Sequence, residues 1–167
     1  MTHEGHEIKD IDFAVITVSD TRNENTDISG KNAIEMVEKA GHRVVLYEIV
    51  KDDIMAVRSV FSRALEKADV IFFTGGTGIA SRDMTVEGIK SLLLREIPGF
   101  GELFRYRSFE EIGARAILSS ACAGLVRKGE NDEMVVVFCV PGSPGAVKTA
   151  MGIVLPAIGH IMWEARR

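Results

Sequence analysis

The sequence predicts an α/β fold: a single three-layer αβα domain built on a mostly parallel, mixed sheet. Three observations predict it. Short apolar runs such as FAVITV at 13–18 and VIFF at 70–73 do not alternate with polar residues, as suits strands buried on both faces. Segments with apolar residues at helical spacing lie between these runs. Turn-forming or polar stretches follow the strands, at Ser19, Lys51, Gly75 and Pro141. No internal repeat or linker divides the chain, and 167 residues suffice for one core.

Residues 1–10 are polar, with His3 and His6 among charges, and are expected to form a flexible tail ahead of a domain over 11–167. The first strand covers 13–18. Beyond it come Ser19, Asp20 and a polar loop, then Ser29 and Gly30 before a helix carrying Ile34, Val37 and Ala40. Gly41 is its natural stop. Ser29 fits a helix cap, and Ser19, Asp20 and Ser29 equally fit a ligand cleft at a strand end. The second strand, 43–50, alternates more and so belongs nearer an edge. The helix after it shows Ile54, Val57, Phe61, Ala64 and Leu65 on one face. Asp52 is placed to cap that helix, and equally to hold a hard cation.

The third strand runs into Thr74, Gly75, Gly76, Thr77 and Gly78. Glycines at a strand's carboxyl end allow close backbone approach, and their amides attract anions, so a phosphate site is expected there. The spacing matches neither a Walker A loop nor the dinucleotide fingerprint. Arg82 and Asp83 place a cation and a carboxylate beside it. Asp83 also reads as a turn residue before a Thr85 N-cap, with Glu87 complementing the helix dipole. That helix should continue through Leu92 and Leu93 toward Pro98. Two short helical pieces follow at 99–105 and 108–112, with Ser108 and Glu111 forming a capping box. A hairpin turning at 129–133 feeds the last strand, 134–140. Pro141, Gly142 and Ser143 form the second special turn, opening a long apolar helix that Pro156 should kink or split.

Composition sets exclusions. A formal charge of -4 and a pI near 5.6 argue against a nucleic-acid surface. No membrane association is expected, since no apolar segment reads as membrane-spanning, and the N-terminus lacks a signal peptide's pattern; a cytoplasmic protein is expected. Cys122 and Cys139 lack metal-site spacing and read as buried thiols rather than a disulfide or metal pair. The absence of glutamine, with only four asparagines, suits a hot-growing source.

The separated motifs, taken together, resemble the MoaB/MogA family of molybdenum cofactor biosynthesis. The resemblance rests on TGGTG at 74–78 with Arg82, Asp83 and Thr85, PGFG at 98–101, PGSP at 141–144, the VSD strand end at 18–20, and Asp27, Ser29 and Gly30. It spans about residue 12 to the terminus, and 101–113 is closer to the B branch. It implies a molybdopterin-binding-like fold and an adenylyltransferase, in which ATP and molybdopterin give adenylylated molybdopterin and pyrophosphate with magnesium. Asp52 and Asp83 match the family's essential aspartates and are the expected magnesium ligands. Ser119 matches a ligand-binding serine, and Arg82 and Lys51 neighbour the phosphates. Homotrimers or dimers of trimers, and a downstream metal-insertion protein as partner, are also implied. The family's usual Leu-Ser-Arg is here Leu118-Ser119-Ser120, so one arginine contact is missing. The competing readings are a non-catalytic pterin or nucleotide carrier or scaffold of the same family, and a nucleotide hydrolase resembling the competence-damage proteins.

Overall fold

The computed structural model describes residues 7–167. Its spine is a six-stranded sheet of order β2-β1-β3-β6-β5-β4. In chain order the strands are β1 (Asp12–Val18), β2 (Arg43–Val50), β3 (Val70–Thr74), β4 (Arg95–Glu96), β5 (Cys122–Lys128) and β6 (Glu133–Val140). The helices are α1 (Ile28–Lys39), α2 (Ile54–Lys67), α3 (Thr85–Lys90), α4 (Pro98–Ile112) and α5 (Pro144–Arg166), with a 3-10 helix at Gly113–Leu118. β2, β1, β3 and β6 run parallel, while β5 reverses against β6 and β4 against β5.

The unbroken apolar runs are explained by burial on both sheet faces. Phe13, Val15, Phe72, Val136 and Phe138 meet α1, α4 and α5 on one face. Ala14, Ile16, Ile71, Phe73 and Val137 meet α2 and α3 on the other. Each fully buried large side chain contributes about 1.5–3 kcal/mol by leaving water. β2, the alternating strand, is one edge of the sheet, and β4 is the other.

Several expectations are corrected. Asp53, not Asp52, caps α2, its carboxylate accepting from the Met55 and Ala56 amides. Asp27, not Ser29, caps α1. Thr85 is the first residue of α3 rather than its cap, and α3 ends at Lys90. Residues 98–112 form one helix, whose buried stripe of Phe100, Phe104 and Ser108 recurs every fourth residue, so Ser108 faces inward instead of capping. α5 runs through Pro156 unsplit. The carbonyl deprived of its amide there belongs to Gly152, which is exposed and open to water. α5 is also, by length and composition, apolar enough to cross a membrane, contrary to the expectation. Val147, Ala150, Met151, Val154, Ile158 and Met162 instead bury its inner face in the core. Within the segment expected to be a tail, the Ile8 amide donates to the Gly159 carbonyl at 3.1 Å. His3 and His6 lie outside the described residues.

A strand-end site of paired glycine turns and carboxylates

The chain leaves β1 for β2 on one side and crosses back from β2 to β3 on the other side of β1, which opens a crevice at the strands' carboxyl ends. Every element of the candidate site ends there. The Gly75 amide donates to the Val140 carbonyl at 2.9 Å, and a Cβ on Gly142 would lie 3.2 Å from the Gly75 Cα. The two special turns therefore abut. Thr74 Oγ1 ties them further by donating to the Pro141 carbonyl at 3.1 Å.

Local chemistry holds the first turn open. Gly75 and Gly76 have φ of +104° and +67°, the region where glycine alone is unstrained. Thr85 Oγ1 donates to the Gly75 carbonyl at 2.7 Å, and the Thr85 amide to the Gly76 carbonyl at 3.1 Å. The amides of Gly76, Thr77 and Gly78 meet no acceptor among the described residues. Thr77 Oγ1 is likewise a buried polar atom without a partner among them. A run of unmet donors at a strand end is what an anion requires.

A carboxylate stands at each end of that run. A Cβ on Gly76 would lie 2.8 Å from Asp52 Oδ1, and one on Gly78 would lie 2.6 Å from Asp83 Oδ2. Asp52 Oδ1 accepts from the Met84 amide at 2.8 Å, and Asp83 Oδ2 from the Ala80 amide at 2.8 Å. Asp20 approaches from the β1 end, its Oδ1 accepting from the Asp52 amide at 3.1 Å. Partial burial pushes the Asp52 carboxyl above its ordinary range; the Met84 N–H opposes this, the negative charges of Asp83 and Asp20 add to it, and Arg82 draws it back. The donors are hard oxygens, and a cation here would relieve the crowded charge. Among the described residues no three His, Cys, Asp or Glu side chains converge to hold a metal alone. A cation held by Asp52 or Asp83 would therefore need further ligands from a bound molecule, as when phosphates complete a magnesium sphere.

The second turn is supported from beneath. Ser29 Oγ and Arg22 Nη1 both donate to the Gly142 carbonyl, at 2.6 and 2.7 Å. Ser29 and Gly30 are buried, so they shape the crevice rather than line it. Gly30 is required because a Cβ there would lie 2.1 Å from Asp27 Oδ2. Ser19 Oγ accepts from the Thr21 and Arg22 amides, which is loop chemistry. Ser143 caps α5 by accepting from the Ala146 amide at 3.2 Å. Ser119 lies on the other flank, where the Ser120 amide donates to the Thr77 carbonyl at 2.9 Å. The sequence marks Arg95, Arg105, Arg107 and Arg115 as a locally basic segment without singling one out; the structure singles out Arg105, whose Nη1 donates to the Ala121 carbonyl at 2.9 Å. Arg105 brings a guanidinium to the segment where Ser120 replaces the expected arginine. Sequence reasoning missed Asp27 as a fully buried carboxylate, which accepts from Thr17 Oγ1 at 2.6 Å and the Tyr47 hydroxyl at 2.7 Å. Burial and this bond push the Tyr47 phenol well above its ordinary range.

Fold and site define an α/β ligand-binding domain that presents anion-seeking amides and cation-seeking carboxylates at a topological switch point. Residues 14–160 match the family model described as a probable molybdopterin binding domain, and the chain belongs to that family, as one of its MoaB/MogA-type members. It is 48% identical over 157 residues to the molybdenum cofactor biosynthesis protein B of Bacillus subtilis, covering 92% of this chain and 89% of that one. It is 42% identical to the tungsten cofactor synthesizing protein MoaB from Pyrococcus furiosus, with a TM-score of 0.88 over 96% of this chain and 99% of that structure. The solved structure of MogA superposes with a TM-score of 0.80 at 25% identity, over 92% of this chain and 99% of that one.

Proposed function

We propose that this protein acts in molybdenum or tungsten cofactor biosynthesis as a molybdopterin adenylyltransferase. It transfers AMP from ATP to molybdopterin, giving adenylylated molybdopterin and pyrophosphate. One observation carries the reading: Asp52 and Asp83 flank three consecutive unmet amides at Gly76, Thr77 and Gly78. The names of the relatives from Bacillus subtilis and Pyrococcus furiosus supply the pathway.

In this mechanism the terminal phosphate oxygen of molybdopterin attacks the α-phosphorus of ATP, and the bond to pyrophosphate breaks. Such transfer needs positioning and charge neutralisation more than covalent help from the protein. The turn amides orient phosphate oxygens, and Arg82, whose charge reaches Asp52, and Lys51, next to Asp52 in sequence, offset their charge. Arg22 and Ser29 hold the Gly142 carbonyl, fixing the second turn against the first. Asp52 and Asp83 would hold magnesium, which supplies charge neutralisation at the phosphates when bound.

Exposed apolar side chains on α4 and the 3-10 helix are compatible with self-association, for which we propose a homotrimer or dimer of trimers. Tyr106, Phe109 and Ile117 are 65%, 57% and 77% exposed in the single chain. Cytoplasmic residence and delivery of product to a metal-insertion protein belong to the same proposal. Purified protein with molybdopterin, ATP and magnesium should yield adenylylated pterin and pyrophosphate. Tight pterin binding without product would favour the carrier reading.

A further inference from the structure

Cys122 opens β5 and Cys139 lies near the end of β6, directly opposite each other in the antiparallel register. The Ala123 and Leu125 carbonyls accept from the Ile97 and Leu94 amides on the β4 side, so Cys122 turns its own backbone groups toward β6. The Val140 carbonyl accepts from Gly75 on the β3 side, so Cys139 turns toward β5. The two cysteines are therefore a hydrogen-bonded antiparallel pair, for which Cα atoms lie about 5.5 Å apart. That separation falls within the roughly 4.4–6.8 Å that a disulfide spans. The Cβ atoms of such a pair sit toward the upper end of about 4.5–5.5 Å, beyond the roughly 3.5–4.5 Å of a relaxed disulfide, so closure draws the two strands together and gives a strained, readily reduced bond. Opposed residues project to one face, and both side chains join the core under α2 and α3. Both thiols are free. Cys139 is sealed in the core, whereas Cys122 is half-buried and lines a cavity of about 470 Å³ with Lys90 and Arg105.

We propose that Cys122 and Cys139 form a reversible thiol–disulfide couple, closed by a small soluble disulfide that enters through this cavity. The Cys122 thiolate attacks one sulfur of the small disulfide, whose S–S bond breaks and releases one thiolate. The Cys139 sulfur then attacks Cys122, forming the internal bond and expelling the second small thiol. The proton of Cys139 passes to a departing thiolate. Two protein thiols are oxidised and one small disulfide is reduced to two thiols. Access sets the order of attack, since Cys122 lines the cavity and Cys139 is sealed in the core; the Cys139 thiol beside it also draws the Cys122 thiol below its ordinary range despite burial. The hydrogen bond between the two thiols and full burial push Cys139 well up. Closure ties the start of β5, just after Ser119 and Ser120, to the end of β6, two residues before Pro141. The inference does not depend on the adenylyltransferase reading.

The test incubates the folded full chain with glutathione disulfide, blocks remaining thiols with an alkylating reagent, and measures mass and peptide linkage. The expected product has lost two hydrogens, carries no alkyl group, and yields a peptide joining Cys122 to Cys139; dithiothreitol reverses it. Cys122→Ser should leave Cys139 unreacted. Cys139→Ala should stop at a stable glutathione adduct on Cys122. The proposal is overturned if the wild-type chain keeps both thiols, stops at a mixed disulfide, or links only between chains. The wild-type result decides even where a variant folds poorly.

Discussion

Replacing Gly76 by alanine puts a methyl group where the site has no room for one. Its Cβ would lie 2.2 Å from Thr85 Oγ1, 2.8 Å from Asp52 Oδ1 and 3.0 Å from Asp52 Oδ2. The backbone there has φ of +67°, and a Cβ in that left-handed region costs roughly 1–2 kcal/mol. Thr85 is fully buried and its hydroxyl satisfies the Gly75 carbonyl. Moving it aside leaves that carbonyl unpaired, at about 1–3 kcal/mol. Gly76→Ala should therefore destabilise by roughly 2–5 kcal/mol, less than the ~5–15 kcal/mol that keeps a typical domain folded. It should also swing Asp52 off the Met84 amide and lower magnesium-dependent turnover at least tenfold. Urea denaturation followed by circular dichroism, with the adenylylation assay alongside, reads both effects. Gly152→Ala is the control, since nothing lies within 4 Å of the added methyl; it should be neutral or stabilising by about 0.5–1 kcal/mol. A Gly76→Ala protein as stable and as active as wild type would refute the close packing of Asp52 on this turn.

Asp52→Asn retains the acceptor for Met84 and removes a charge that burial disfavours. A raised native pKa means the folded state binds the extra proton, so wild-type stability falls as pH rises from the ordinary carboxylate pKa to the higher native one. The variant should match wild type in acid, gain on it across that window, hold the gain above it, and lose turnover; denaturation at several pH values checks this. Tyr47→Phe removes one donor to the buried Asp27 carboxylate and should cost about 1.5–3 kcal/mol in urea denaturation. Ser29→Ala leaves the Gly142 carbonyl with Arg22 alone. It should cost roughly 0.5–1.5 kcal/mol and raise the KM for ATP or pterin more than it lowers kcat.

The central sheet was legible because β1, β3 and β6 carry apolar residues at successive positions, which double-sided burial demands. β4 was not, because Arg95 and Glu96 are exposed and join the sheet only through pairing with β5. Capping misled by single residues: two adjacent aspartates precede α2, and only backbone geometry assigns the cap to Asp53 and frees Asp52 to face the turn. The glycine turns were readable as sharp turns at strand ends, since the positive φ of Gly75 and Gly76 suits glycine alone. Arg105 and Arg22 were invisible as site supports. Each acts through a carbonyl distant in sequence, with Arg22 bonding across 120 residues to Gly142, and no local pattern encodes such a bond. Asp27 sat in a quoted motif, but its burial under Thr17 and Tyr47 follows only from the packing of β1 and β2.

The direct test of the account is turnover by the wild-type chain beside Asp83→Asn, with molybdopterin, ATP and magnesium. The account predicts adenylylated pterin and pyrophosphate from the wild type only when magnesium is present. It predicts none from Asp83→Asn, which should still fold and bind the pterin. Product formation undiminished in Asp83→Asn, or wild-type protein that binds pterin and yields no product with a substrate proven on an active relative, would contradict it.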